Sequence, residues 1–166
     1  RTPTVDAEKL GQAMTSFQQQ LEAKAKAEFE QASRENKAKS DAALAANRVK
    51  PGVTTLPGGV QYRIIEAGTG AKPTLNSTVE LHYGASLATT GQEFIRTFSQ
   101  PKPLSGKVSD LPWPGMREAL LLMPAGSRWE VYVPADKAWG NGPESLRNGP
   151  GPNQALILDI KLFSVK

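Results

Sequence analysis

The chain contains no cysteine, which excludes disulfides, a thiol nucleophile and any cysteine-based zinc site. Its one histidine, His82, alternates with Tyr83 along an apolar stretch and belongs to no recognisable nucleophile motif, so triad hydrolysis and histidine-metal chemistry are not expected. No Gly-x-x-x-x-Gly-Lys, dinucleotide-binding glycine pattern or paired set of metal ligands occurs. Asp110, Asp136 and Asp159 are scattered, and solvated or capping roles are their default reading. No cofactor and no metal is expected from these absences. No apolar run approaches the roughly 18 residues of a membrane-crossing helix, and the charged start at Arg1 does not read as a signal peptide, so any export signal is expected to have been removed. Lysine and arginine form no run either. Of the 20 basic and 16 acidic residues, 9 and 7 fall in residues 1–50, so the net charge of +4 is evenly spread and nucleic acid is not expected as a partner.

Glycine and proline are nearly missing from a second place, the stretch from about Asp6 to Asn47, which holds Gly11 as its only glycine and no proline. Alanine, glutamine, glutamate and lysine dominate there and favour helix at almost every position. Leu10, Met14, Phe17, Leu21, Ala25, Phe29 and Ala32 recur at spacings of three and four, beside the i, i+4 pairs Glu22/Lys26, Glu30/Arg34 and Glu35/Lys39. Forty helical residues extend roughly 60 Å, about twice the width of a small domain, so the helix cannot all lie on its own globule. It reads as a solvated spacer or, with a row of exposed large apolar residues, as a dimerisation helix. Proline and glycine return in the block from Lys50 to Tyr62 and end the helix. The domain boundary is placed at 50/51, giving a linker or dimerisation helix over 1–50 and a folded domain over 51–166.

Within 51–166 short alternating runs predict strands. Val60, Tyr62 and Ile64 share one face of the first; Val79, Leu81 and Tyr83 share one face of the second, with Glu80 and His82 opposite. The Ala88–Gly91 turn leads to a strand at Phe94. The region from Arg96 to Asp110 reads as a loop. Met116, Ala119, Leu120 and Met123 follow the i, i+3, i+4, i+7 rule of a two-turn amphipathic helix, opened by Pro114 and stopped by Pro124 and Gly126. Trp129, Val131 and Val133 alternate in a strand, the segment Asn141–Asn153 reads as a long flap-like loop, and Leu156, Leu158, Ile160 and Leu162 alternate in a last strand. A helix that short needs a sheet to press against. The fold class is therefore α+β, a long N-terminal helix followed by a curved antiparallel sheet of about five or six strands wrapped around one short helix. Tyr83, Phe94, Trp113, Met116, Trp139 and Leu158 form an apolar and aromatic set whose default reading from spacing alone is ordinary core, with the lining of a binding pocket as the sharper alternative.

Several motifs carry a family resemblance. Ala119 to Pro134 (ALLLMPAGSRWEVYVP), Ala138-Trp139-Gly140 and Gly151 to Ile160 (GPNQALILDI) resemble, in order and spacing, FKBP-type peptidyl-prolyl cis-trans isomerases. Ala27-Glu28-Phe29, Glu35-Asn36-Lys37 and Leu56 to Tyr62 (LPGGVQY) resemble the macrophage-infectivity-potentiator (Mip) subgroup. That resemblance implies a prolyl isomerase that assists folding, exported and periplasmic or outer-membrane associated in a bacterium. It implies proline-containing segments or unfolded proteins as clients, and a homodimer through the N-terminal helix. It also implies that Tyr83, Phe94, Trp113, Met116, Trp139 and Leu158 serve as catalytic and substrate-binding residues. Departures gather at these positions: Met116 stands for the tryptophan of the pocket floor, Ile95 for an aspartate, Trp139 for a tyrosine, Leu158 for a phenylalanine, and an aromatic near Gly106 is missing. The implied activity is correspondingly weakened. A non-catalytic peptide-binding chaperone using the same cleft is the alternative.

Overall fold

A computed structural model describes residues 7–138, 140 and 151–166. Helix α1 runs Ala7–Arg48 over 42 residues, as its composition predicts. Its first half stands in solvent, with Leu10, Met14, Phe17 and Leu21 all at least half exposed. Its second half lies on the domain through small polar side chains, with Phe29 and Ala32, the end of the apolar stripe, partly buried beside Pro152. Ser33, Ser40 and Asn47 are buried at steps of seven, a spacing that keeps them on one face. Ser40 Oγ donates to Asn153 O at 2.7 Å and accepts from Ala155 N at 2.9 Å, while Asn153 Nδ2 donates to Ser33 Oγ at 2.8 Å. Asn36 Nδ2 donates to Pro152 O, and Asn47 Nδ2 donates to Gln61 Oε1, each at 2.9 Å. Burial of these donors and hydroxyls is tolerated because they are hydrogen-bonded.

Among the described residues seven strands form one antiparallel sheet: β1 Val53–Thr55, β2 Gln61–Glu66, β3 Thr78–Leu87, β4 Glu93–Arg96, β5 Leu104–Lys107, β6 Arg128–Val133 and β7 Leu156–Val165. Their order is β1-β2-β6-β7-β3-β4, and β5 pairs with β3 beside β4. The expected five or six strands are therefore corrected to seven. β1 lies inside the glycine-proline block after α1 and β5 inside the segment read as a loop. Both are short edge pieces whose partners lie elsewhere in the chain, so neither carries enough alternation to stand out alone. A turn fixed by backbone contact joins the layers. Gly70 N donates to Ala125 O at 3.0 Å, Gly68 N to Ser127 Oγ at 3.0 Å, and Ala125 N to Ala71 O at 2.9 Å.

Helix α2, Pro114–Leu122, lies against the inner face of this sheet. The residues of the predicted stripe, Met116, Ala119, Leu120 and Met123, are fully buried, as are Val131 and Val133 of β6 and Leu156, Leu158, Ile160 and Leu162 of β7. Each large side chain withdrawn in this way contributes about 1.5–3 kcal/mol, which is why nine residues of helix persist here when they would not in water. Of the expected flap, Asn141–Asn153, residues 141–150 lie outside the described residues.

Candidate active site

Five of the six predicted site residues fall within the described residues, and four of them, Tyr83, Trp113, Met116 and Leu158, share the core cluster. Trp139 lies outside the described residues. Trp113 immediately precedes α2 in extended backbone, φ −121° and ψ 138°, and its carbonyl accepts Arg117 N at 3.1 Å. The turn before it is closed by Arg117 Nη1, which donates to Leu111 O at 2.6 Å. Gly115 lets α2 approach β6: a Cβ there would sit 2.4 Å from Val133 Cγ1. That close approach drives Met116, one residue on, into complete burial. Leu158 occupies the middle of the sheet, paired with Ala85 on β3 and Val131 on β6.

Phe94 reaches the same place through a bulge. Ser86 pairs with Glu93 but Ala85 pairs with Ile95, so one step on β3 meets two on β4 and Phe94 is the extra residue. A bulge re-aims its side chain. The Phe94 ring meets Trp113 edge-to-face at 6.4 Å, and the Tyr83 ring meets Trp113 edge-to-face at 6.1 Å. Both separations lie in the favourable range for aromatic pairs. Ile95, where the resemblance places an acid, packs against the core. At Gly106, where it places an aromatic, a Cβ would meet nothing within 4 Å.

The residue that sequence reasoning missed is Thr97. Its Oγ1 accepts Tyr83 N at 2.8 Å and pairs with His82 Nδ1 at 2.9 Å. One hydroxyl thus ties β3 to the segment that follows Phe94. His82 does face away from Tyr83, as alternation requires, but it is buried, its ring 5.5 Å from that of Phe98 and edge-on to Phe163 at 5.7 Å. Nothing in the sequence marks Thr97, because its two partners are 14 and 15 residues away across a turn.

The site is electrostatically quiet. Burial pushes the Tyr83 phenol above its ordinary pKa, because the charged phenolate loses solvation there. A raised folded-state value means that the contribution is fully present below the unfolded tyrosine pKa of about 10 and is lost as pH rises through the folded one. The midpoint of urea unfolding is expected to fall in alkali, and Tyr83→Phe to make that fall shallower. An identical alkaline slope in the variant would refute the assignment. The other face of the sheet differs sharply. There a cleft of about 220 Å³ is lined by Glu93, Arg128, Glu130 and Asp159 together with Ile65 and Ile157. Arg128 grips Asp159 with two bonds, of 2.9 and 2.7 Å. Four charged side chains in one cleft favour water over a hydrocarbon ring at that end of it. Among the described residues no group of three potential metal ligands occurs, and no helix is long and apolar enough to cross a membrane.

Comparison with known proteins matches residues 69–163 to the family described as FKBP-type peptidyl-prolyl cis-trans isomerase. Residues 1–64 match the one described as the domain amino terminal to it. The chain is 50% identical over 159 residues to the outer membrane protein MIP of Legionella longbeachae, covering 96% of this chain and 66% of that one. It is 40% identical over 131 residues to the peptidyl-prolyl cis-trans isomerase Mip of Coxiella burnetii, covering 79% and 55%. It thus spans less than two thirds of either relative's length. The crystal structure of FkpA from Escherichia coli superimposes with a TM-score of 0.85 at 27% identity, covering 99% of this chain and 75% of that one.

Proposed function

The chain belongs to the FKBP-type peptidyl-prolyl cis-trans isomerases, in their Mip-like subgroup, and from that premise we propose that it isomerises Xaa-Pro bonds in unfolded or partly folded proteins at a reduced rate. The observation that carries this reading is the convergence of Tyr83, Phe94 and Trp113 beside buried Met116 and Leu158. Prolyl isomerisation needs neither nucleophile nor metal, since the barrier of about 18–20 kcal/mol lies in amide resonance. An apolar site that holds the ring and accommodates the twisted amide better than the planar one lowers that barrier. Withdrawal of water favours the twisted form further, because the planar amide is the more polar. The reduced rate follows from Met116, a flexible thioether where a flat ring would give a rigid floor, and from Ile95, which cannot interact with the twisting amide as an acid would. Cis/trans exchange of a short Xaa-Pro peptide, followed by NMR with and without the protein, tests this. Acceleration weaker than that of a Mip-type relative assayed alongside is expected; none at all would refute it.

A peptide-binding chaperone that uses the same cleft without catalysing is the second reading, favoured by the flexible Met116 floor, which suits tolerant apolar binding. It predicts suppressed aggregation of an unfolded client with unchanged prolyl exchange. We further propose export to the periplasm or outer membrane, a homodimer through α1, and an independently folding unit over 51–166. That unit contains every described strand and α2. A fragment starting at Pro51 is expected to unfold cooperatively but at a lower temperature than the whole chain, since Gln61 and Ala155 lose their partners on Asn47 and Ser40. Non-cooperative unfolding would remove the boundary.

A further inference from the structure

We propose, resting on the isomerase reading, that the Trp113 indole is a built-in occupant of the prolyl site, and that substrate binds only when this ring turns out. Trp113 is 1% exposed although it stands at the mouth of α2, next to Phe94, which is 38% exposed. Its ring makes edge-to-face contact with both aromatic residues that would hold a prolyl ring, Tyr83 at 6.1 Å and Phe94 at 6.4 Å. The floor residue Met116, the wall residue Leu158 and Tyr83 are themselves buried, at 0%, 0% and 8% exposure. A floor awaiting a ligand would be open to solvent; this one is covered within the chain.

The substitutions explain one another on this view. A methionine at 116 leaves volume that a tryptophan would fill. Trp113, one helical turn earlier, lies on the same side of α2 and brings a flat ring to that volume. A ring at 113 fills what a smaller side chain at 116 leaves, so the core stays packed while the ring arrives from the wall of the site instead of its base. A site closed by its own side chain binds with an affinity reduced by the fraction of molecules that are open.

Trp113→Ala and Trp113→Leu test the idea, each first checked for cooperative unfolding; the leucine variant keeps more volume should the alanine variant fail to fold. If nine molecules in ten or more are closed in the parent, opening the site lowers KM for a short Xaa-Pro peptide about tenfold or more. A merely structural tryptophan would lower the unfolding temperature and leave KM alone. Free indole supplies a second readout. An apolar cavity left by a deleted ring takes up a matching small molecule, so indole is expected to inhibit Trp113→Ala and to leave the parent unaffected. A folded variant whose KM is unchanged or higher, with the parent active, overturns the proposal and makes Trp113 a substrate-contacting wall. If the parent and both folded variants neither bind nor isomerise the peptide, the isomerase reading itself fails and takes the proposal with it.

Discussion

Phe17→Asp is expected to halve the particle mass of the chain in light scattering, from dimer to monomer. Leu10, Met14, Phe17 and Leu21 follow one another at intervals of four, three and four, the a/d spacing of a two-helix seam. They are 50%, 59%, 61% and 52% exposed on the single chain. The domain leaves them uncovered, because the hydrogen bonds that dock α1 on the domain begin only at Ser33, twelve residues beyond Leu21. A second copy of the same helix can, and symmetry then repeats any substitution across the interface. Two aspartates introduced at the middle of an apolar seam would be desolvated without partners, an outlay of several kcal/mol that a seam of two heptads cannot absorb. Lys24 and Glu28 stand at the next two positions of this strict spacing, so the large apolar part of the seam ends at Leu21 and only Ala25, Phe29 and Ala32 carry the stripe further. A monomeric parent at high concentration, or a variant with unchanged mass, would place the dimer contact elsewhere or remove it.

Gly68→Ala is expected to lower stability by about 3 kcal/mol, at the upper end of overpacking penalties, and thereby to lower the unfolding temperature by roughly 6–12 °C. A Cβ at that position would lie 2.4 Å from Ala125 O, 2.5 Å from Ser127 N and 2.8 Å from Gly126 C. All three are backbone atoms, so no rotamer change relieves the overlap. The loop would have to lift off the turn that joins α2 to β6, breaking the bonds from Gly70 N to Ala125 O and from Gly68 N to Ser127 Oγ. Gly91→Ala is the matched control for space. Nothing lies within 4 Å of its Cβ, although its φ of 77° adds backbone strain of its own. A Gly68→Ala chain as stable as the parent would mean that this contact gives way easily. Thermal unfolding of both variants decides the matter.

Much of the architecture was legible because regular periods act locally. The Leu10–Ala32 stripe predicted α1, Met116 to Met123 predicted the buried face of α2, and the alternation in Trp129–Val133 and Leu156–Leu162 predicted β6 and β7. The seam between α1 and the domain was not legible. Ser33, Ser40 and Asn47 are ordinary helix-surface residues until Asn153, Ala155 and Gln61 arrive to bond them. The same holds for β1 and β5, which exist because Arg63 to Gln61 and Thr78 to Leu81 offer them edges.

For the site, the sequence by itself determined which residue types are present and, through the family motifs, which positions are expected to line a prolyl pocket. It also made plain what chemistry is missing, since a chain without cysteine and with a single buried histidine has few nucleophiles to offer. Only the tertiary structure decided how those residues meet. The bulge that turns Phe94 toward Trp113 depends on the register of two strands. The hydroxyl of Thr97 reaches Tyr83 only after the chain has folded back on itself. That Trp113 is buried against Tyr83 and Phe94, instead of standing in solvent ahead of its helix, depends on the close approach of α2 to β6 that Gly115 permits. The physical reason is common to all three: periodicity is set by neighbours three or four residues apart, whereas the contents of a pocket are set by packing among segments distant in the chain.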